Sequence, residues 1–397
     1  MYNDIIGDTE KCYGCGACVS ICPKKCLSQY KDKNGFNQVK IEKTDSCISC
    51  GLCKSVCPAI QNNDIETDSK YYKRYYSQNH DDDILNSSSS GGVFSALADK
   101  VFSLNGVVWG VKIEKNGQCS FSCARNSTQL KELRGSKYVE VENGIPFEEI
   151  ENQLKNEPLV MVTGTPCQIK ALRKYFNDKH FDNLLLVDLL CYGVQSPKIW
   201  MKYLSEINPK GKELTSISMR YKKPSWENYS MRLTFSDNSK YSASRWKDPY
   251  LLSYATNLYN RKSCSNCIAK NFPRYSDITI GDFWQVDTLP TINRNIDIKK
   301  GVSVIITHNI FGDDFLQSCK ESILIFEIPK IVFNNMVERY SEKCKQNKNR
   351  NKFENLISTI SFANTIKETV VISKKSKYRF KWLTLKRIIK YKLLKRN

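Results

Sequence analysis

Cys12-Tyr13-Gly14-Cys15-Gly16-Ala17-Cys18-Val19-Ser20-Ile21-Cys22-Pro23 and Cys47-Ile48-Ser49-Cys50-Gly51-Leu52-Cys53-Lys54-Ser55-Val56-Cys57-Pro58 are two copies of one pattern, C-x2-C-x2-C-x3-C-P, offset by 35 residues at every position. The first three cysteines of each copy share one tight loop. A cubane cluster needs four inward-pointing thiolates, and the fourth comes from the cysteine before proline in the other copy. The expected sets are therefore Cys12, Cys15, Cys18 and Cys57 on one cluster, and Cys47, Cys50, Cys53 and Cys22 on the other. A pair of zinc knuckles would not call for two full copies, each closed by proline. Gly14, Gly16 and Gly51 suit loops whose amides approach cluster sulfides closely. Cys26 falls outside the pattern and reads as an ordinary thiol. The first 62 residues thus form a bacterial-type module with two [4Fe–4S] clusters.

The remainder of the 397-residue chain is long enough for further domains. Its composition, 41% hydrophobic and 26% charged, is that of a folded rather than a disordered protein. The longest apolar run, 184–194, contains Asp188 and is too short to span a bilayer. The start of the chain has neither a basic region nor an apolar core of a leader peptide. Seventeen cysteines without such a leader point to metal or redox chemistry in a reducing compartment, so the expected location is cytoplasmic.

The formal charge is +20. Three bound clusters, each carrying about −2 with its thiolates, would remove about 6 charges. The rest is uneven, because residues 369–397 hold eleven Lys or Arg and no acid. There Tyr378, Trp382, Leu385, Ile389 and Leu393 share one helical face, with Lys381, Lys386, Arg387, Lys390 and Lys395 around it. Such a segment suits peripheral contact with an anionic membrane face, an acidic partner, or plain solvation. No nucleic-acid recognition motif accompanies it, and no nucleic-acid partner is expected.

Four divisions follow: the cluster module 1–62, a polar linker 63–90, a core 91–340, and a basic helical tail 341–397. The linker contains Asp81-Asp82-Asp83 and Ser87 to Ser90, and residues 71–77 within it also suit a first strand of the core. The expected fold class is α+β, with a mixed α/β core behind the cluster module. Val93, Leu97, Val101 and Leu104 share a helical face. Strands are expected at 106–113, 159–163, 184–190, 277–281 and 302–307, with a meander over 214–243.

Within the core, Thr163-Gly164-Thr165-Pro166-Cys167 runs from a strand into a helix, with Thr165 as cap and Pro166 in the first turn. That places Cys167 where free amides favour a thiolate. Cys191 lies at the end of another strand, and Cys264-x2-Cys267 forms a pair. Spacing alone leaves three readings open: a third cluster, a zinc site on Cys264 and Cys267, or buried free thiols. The Ser87–Gly92 loop opening a helix suits a phosphate or pyrophosphate, or is simply a capped helix after a linker. Arg134 to Tyr138 would bring positive charge. Asp282 and Trp284 close the strand D-I-T-I-G-D-F-W and are site candidates. His80, His180 and His308 share no metal-ligand spacing, and no hydrolase constellation, P-loop or G-x-G-x-x-G is present.

S-S-G-G-V-F-S-A-L-A (89–98), G-S-K-Y-V (135–139), G-T-P-C-Q (164–168), V-D-L-L-C-Y-G-V (187–194), Cys264-x2-Cys267, D-I-T-I-G-D-F-W (277–284) and K-G-V-S (300–303) occur in this order. Together, over roughly residues 70–340, they resemble the beta-subunit family of coenzyme F-420 hydrogenase and dehydrogenase, which also includes 7-hydroxymethyl chlorophyll a reductase. The resemblance implies an oxidoreductase whose core holds FAD beside a third [4Fe–4S] cluster. It implies Cys167, Cys191, Cys264 and Cys267 as ligands of that cluster. It also makes Ser90, Gly91, Gly92, Lys137, Gly164, Thr165 and Asp282 candidates for lining the flavin. The implied partner is a ferredoxin-like protein or a reduced deazaflavin, with an organic substrate at the other end. Relatives that carry the same N-terminal module are similar to proteins of polysaccharide biosynthesis. A non-enzymatic carrier or adaptor in that setting is the second reading.

Overall fold

The computed structural model describes residues 8, 10–60, 73–176 and 181–370. His180 and the amphipathic stretch 378–395 lie outside them.

Both halves of the cysteine repeat fold alike. Gly16 and Gly51 each take a left-handed conformation (φ 84° and 77°) and open the short helices Ala17–Ser20 and Leu52–Ser55. A side chain at either position would be strained, which is why both copies carry glycine there. Between the halves runs a hairpin of β1 (Leu27–Lys31) and β2 (Asn37–Ile41), whose Asn34-Gly35 tip is fastened by Asp32 Oδ1 accepting from the Asn34 and Phe36 amides.

The core is built on eight strands: β3 (Lys73–Asn79), β4 (Val107–Ile113), β5 (Cys119–Ala124), β6 (Val160–Gly164), β7 (Leu184–Leu189), β11 (Ile278–Asp282), β12 (Ser303–Thr307) and β13 (Ile323–Glu327). Their order is β13-β3-β12-β11-β7-β6-β4-β5. Four adjacent strands, β11, β7, β6 and β4, are parallel, and antiparallel strands flank them on both sides. Successive residues of β6 and β7 face opposite layers. Met161, Leu185 and Val187 meet the helix Val93–Ser103 through Leu97 and Val101. Val160, Val162, Leu184 and Leu186 meet the helix Pro166–Tyr175 through Ile169 and Leu172. With both faces covered, these strands read as continuous apolar runs rather than alternating ones. Leu104, expected on the buried face of the first helix, lies one residue past its end and is 45% exposed.

A second sheet is the meander β8 (Leu214–Tyr221), β9 (Ser230–Phe235) and β10 (Lys240–Ser244). It packs with the helices Pro197–Ile207 and Pro249–Ala255 around Trp200, Tyr203 and Tyr250.

Two expected boundaries shift. Of the stretch 63–90 read as a linker, the described part belongs to the core: β3 lies between β12 and β13, and helix Asp82–Ser87 follows it, capped by Asp81. The polar composition misleads because Ser77, Gln78 and Asn79 are buried in spite of it. Likewise, part of the stretch 341–397 is core. Helices Arg350–Leu356 and Phe362–Thr369 bury Phe353, Phe362 and Ile366 against the meander layer. Among the described residues no helix is long and apolar enough to cross a membrane.

Phe362 is fully buried among Tyr203, Tyr250 and Phe353. Phe362→Ala is expected to cost about 3–5 kcal/mol of stability, read as a lower guanidinium midpoint. An unchanged midpoint would mean that the C-terminal helices are not part of the core.

Candidate functional site

The C-terminal ends of the parallel strands in an open α/β sheet are where ligands collect, and here they open onto a cavity of about 270 Å³. Gly164 at the end of β6 and Thr165 beyond it, Leu190 and Cys191 beyond β7, and Asp282 at the end of β11 line it, together with the serine loop, the 134–138 turn and the ferredoxin-like loop Tyr13–Cys15.

Cys167, Cys191, Cys264 and Cys267 all border this cavity. Cys167 sits in the first turn of helix Pro166–Tyr175, whose start is fixed by the Thr165 amide donating to Gln168 Oε1 at 2.8 Å. The Thr165 hydroxyl lies 3.2 Å from its sulfur. Beyond β7 the Gly193 amide donates to Cys191 Sγ. Burial raises the Cys264 thiol well above its ordinary pKa, and Cys191, Cys344, Cys267 and Cys167 raise it further. Burial likewise pushes Cys191 up to about 11, with Cys267 and Cys344 adding to it. Cys344, just beyond helix Lys330–Ser341, is thus a fifth thiol beside the four; nothing in its local sequence marks it.

The N-terminal thiols form two further sets. Burial raises Cys18, and Cys15, Cys12, Cys57 and Cys53 add to it. Burial pushes Cys15 up to about 12, with Cys57 and Cys12 contributing. Cys57 therefore stands with the first repeat. Conversely, Cys53 is raised by burial and then by Cys50 and Cys22, so Cys22 stands with the second. The Cys26 amide donates to Cys22 Sγ at 3.3 Å, and the buried Cys26 thiol neighbours both Cys22 and Cys47. Cys47 and Cys50 are exposed. The inner set reaches the core set, because Cys15 acts on Cys167. Among the described residues no three His, Cys, Asp or Glu side chains could together hold a single metal ion; cubane ligands bind four different irons and need no such convergence.

The module is held against the core by Arg261. This buried side chain donates to Glu140, to the Asn37 carbonyl and, at 2.9 Å, to the Cys12 carbonyl. Glu140 in turn accepts the Asn37 amide at 2.8 Å. The hairpin tip adds a second hold, with Ser196 and Tyr259 donating to Asn34.

The flavin candidates divide. Ser90, Gly92, Lys137, Gly164, Thr165 and Asp282 line the cavity. Gly91 does not; its amide donates to Ser303 Oγ, and a Cβ there would stand 2.4 Å from the Ser77 carbonyl oxygen. It is glycine so that the loop can lie against the sheet. Lys137 donates to the carbonyls of Glu132, Leu133 and Arg134, closing the helix Ser127–Leu133, while burial draws its pKa down to about 7. Asp282 holds Arg220 with two bonds (2.7 and 3.2 Å) and accepts from Trp226 Nε1. Arg220 also donates to the Ser89 carbonyl and lies over Tyr229 and Trp284. Trp284 thus backs Arg220, stacked on Trp226 at 4.6 Å, rather than lining the cavity. Arg220 has no local motif around it, and only folding brings it to Asp282. The serine loop is an ordered turn: Lys222 donates to the carbonyls of Leu85, Ser90 and Lys300, and Ser136 donates to Ser89 Oγ through its amide and its hydroxyl. Beside it, helix Val93–Ser103 starts at Gly92 with no side-chain cap on its first amides. His308 is a core residue bonded to Thr279, far down in pKa through burial.

Comparison with known proteins supplies the context for this geometry. Residues 158–330 match the family described as the C terminus of the coenzyme F420 hydrogenase/dehydrogenase beta subunit. Residues 11–60 match the 4Fe-4S dicluster domain. An uncharacterized ferredoxin of Methanocaldococcus jannaschii is 54% identical over 35 residues, 9% of this chain and 46% of that protein, so the match spans less than half of that relative. Among solved structures, a chain of the F420-reducing [NiFe] hydrogenase complex of Methanosarcina barkeri aligns with a TM-score of 0.46 and 15% identity, over 71% of this chain and 91% of that one. The chain therefore carries a 4Fe-4S dicluster domain over residues 11–60 and, over residues 158–330, a domain of the F420 hydrogenase/dehydrogenase beta-subunit type.

Breaking a buried ion pair leaves an uncompensated charge. Arg261→Leu should therefore destabilise the protein by about 3–5 kcal/mol and loosen the module from the core. Faster limited proteolysis of the variant between the module and the core checks this; a native cleavage rate would contradict it.

Proposed function

We propose that this chain is an iron–sulfur flavoenzyme that passes electrons between a redox partner and an organic substrate through three [4Fe–4S] clusters and FAD. The observation that carries the reading is the meeting of Cys167, Cys191, Cys264 and Cys267 on one cavity at the strand ends, with the inner ferredoxin-type thiols on its adjoining wall. The donor set fits a cluster: four buried sulfurs from three separate elements share one cavity, and their thiolate forms, which would repel one another, would be stabilised by a bound iron core. On this reading Cys12, Cys15, Cys18 and Cys57 hold the inner cluster, and Cys22, Cys47, Cys50 and Cys53 the outer one. The four core thiols hold the third.

The cavity also suits a dinucleotide. Its Thr163 hydroxyl is buried with no partner among the described residues. The uncapped start of helix Val93–Ser103, beside the Arg134–Lys137 turn, offers amides and positive charge to a pyrophosphate. Ser90, Gly92, Gly164 and Thr165 would line the flavin directly. Asp282 would act through Arg220, and Lys137 by keeping the 134–138 turn in place.

When bound, clusters carry single electrons and a flavin carries a hydride, so the pair converts between one- and two-electron chemistry. On this reading the outer, inner and core cysteines would hold these groups in sequence from the surface to the cavity. Cys47 and Cys50 are exposed beside Ile48 (59%) and Leu52 (40%), which gives a partner protein an apolar landing point at the outer site. A reduced deazaflavin is the alternative donor, entering at the cavity.

Anaerobically reconstituted protein is expected to be brown, with about 12 irons and one flavin per chain. Cys264→Ser should lower the count to about 8 while keeping the outer and inner clusters. Native protein with about 8 irons, or with zinc in the core, removes the third cluster. Absence of flavin absorbance would leave a non-enzymatic carrier.

A further inference from the structure

We propose that the loop 47–52 is a docking surface for an acidic one-electron carrier protein. The proposal deepens the reading of Cys22, Cys47, Cys50 and Cys53 as holders of the outer cluster, and rests on it. The two cysteine repeats match at an offset of 35, so each loop serves as a control for the other. The core covers the first loop. There the Tyr13 hydroxyl accepts the Ile268 amide at 3.1 Å, and the Cys15 carbonyl accepts the Ile145 amide at 3.2 Å. Ala17 is fully buried in one cluster with Phe147 and Ile169. A Cβ on Gly14 would stand 2.7 Å from the Asn37 carbonyl oxygen. The matching positions of the second loop are Ile48, Ser49 and Leu52, and all three are exposed. Ser49 keeps the left-handed turn of Gly14 (φ 54° against 67°) with room for a side chain. A Cβ on Gly51 would meet no atom of the described residues within 4 Å. The covered copy thus carries small residues, Gly14 and Ala17, where the uncovered copy carries larger ones.

Two apolar side chains left in water beside exposed cysteines make the centre of an interface, and the charge around them selects the partner. Lys24, Lys25, Lys43 and Lys54 are exposed on the same lobe. The Lys43 amide donates to the Cys26 carbonyl, and the Cys26 amide donates to Cys22 Sγ. These bonds tie Lys43 to the turn that bears Lys24 and Lys25. Between residues 43 and 55 the one acid is Asp45, and Glu42 is held by Lys40 at 2.9 Å. The rim is therefore positive. A second copy of this chain would bring the same lysines against it. The segment 369–397, with eleven Lys or Arg and no acid, would be repelled in the same way. An acidic protein with an apolar patch over its own redox centre meets both demands. Opposite charges speed and orient the encounter, while a small apolar centre keeps the complex short-lived, as exchange between carriers requires.

The test measures binding rather than turnover. It uses the full reconstituted chain and two acidic carriers in their oxidised form, a plant-type ferredoxin and a flavodoxin. A basic carrier, cytochrome c, is the control. At low salt the acidic carriers should bind and the basic one should not, and high salt should weaken binding by about tenfold or more. Lys24→Glu, Lys43→Glu and Lys54→Glu together should weaken it by about tenfold, equal to about 1.4 kcal/mol, with iron content unchanged. Reversing the exposed core lysines Lys131, Lys320 and Lys330 in the same way should change it by less than about twofold. Ile48→Ser should weaken binding while leaving its salt dependence as in the native protein. Failure of both acidic carriers to bind, equal binding of cytochrome c, or an equal loss on reversing the core lysines overturns the proposal. Self-association abolished by Ile48→Ser also overturns it, by assigning the loop to a second copy. Cys50→Ser tests the underlying reading separately. Iron should fall by about four per chain, and an unchanged count overturns the outer cluster whatever the carriers do.

Discussion

The ion pair of Arg261 and Glu140 is the contact on which the relation between the two domains depends. Both side chains are buried, and taking two charges out of water is repaid only when further hydrogen bonds satisfy them. Here the satisfying groups come from the other domain: the Cys12 and Asn37 carbonyls accept from the guanidinium, and the Asn37 amide donates to the carboxylate. The pair is therefore complete only when the ferredoxin-type module is seated. A lysine could not replace the arginine, because three acceptors in fixed directions call for a planar fork. Seating the module in this way brings Cys15 and Cys167 to the same cavity and sets the Tyr13 hydroxyl on the Ile268 amide.

The cavity is placed by a different constraint. Four parallel strands with apolar residues on both faces must be covered on both faces, so the only open positions on them are their ends. The core thiols, the serine loop and the 134–138 turn all collect there. Around the cavity, charged side chains work mostly on protein rather than facing free space. Asp282 holds Arg220, Lys137 closes a helix and Lys222 pins the serine loop. The result is a cavity wall whose polar groups are held in fixed geometry.

Residues with strong local chemistry were read well and residues with ordinary chemistry were not. The strands at 160–164 and 184–189, and the capped helix beginning at Pro166, follow from apolar runs and a Thr-Pro start. The strand at 73–79 was partly legible, since residues 71–77 also suit a first strand, but its end at Gln78 and Asn79 looks like linker because it is polar, although it is buried. The helices at 350–356 and 362–369 were hidden by surrounding Lys and Asn, although Phe353 and Phe362 are fully buried. Gly91 looked like a phosphate-loop glycine, yet its freedom is used for close approach to Ser77 and Ser303. Lys137 and Asp282 stand at the cavity, but their charges are engaged by neighbours no motif announces.

The sequence alone determined what spacing can determine: a C-x2-C-x2-C-x3-C-P loop fixes its own turn, its left-handed glycines and the local placement of its sulfurs. It also determined that the core would be layered, because periodicity is a local property. Only the tertiary structure decided which distant groups meet. Cys167, Cys191 and Cys264-x2-Cys267 come from three elements, and Arg220 reaches Asp282 across 62 residues. Arg261 reaches Cys12 across 249. Such meetings depend on strand order and on how two domains seat. No local spacing encodes either, because the energy that selects them is spread over the whole buried interface.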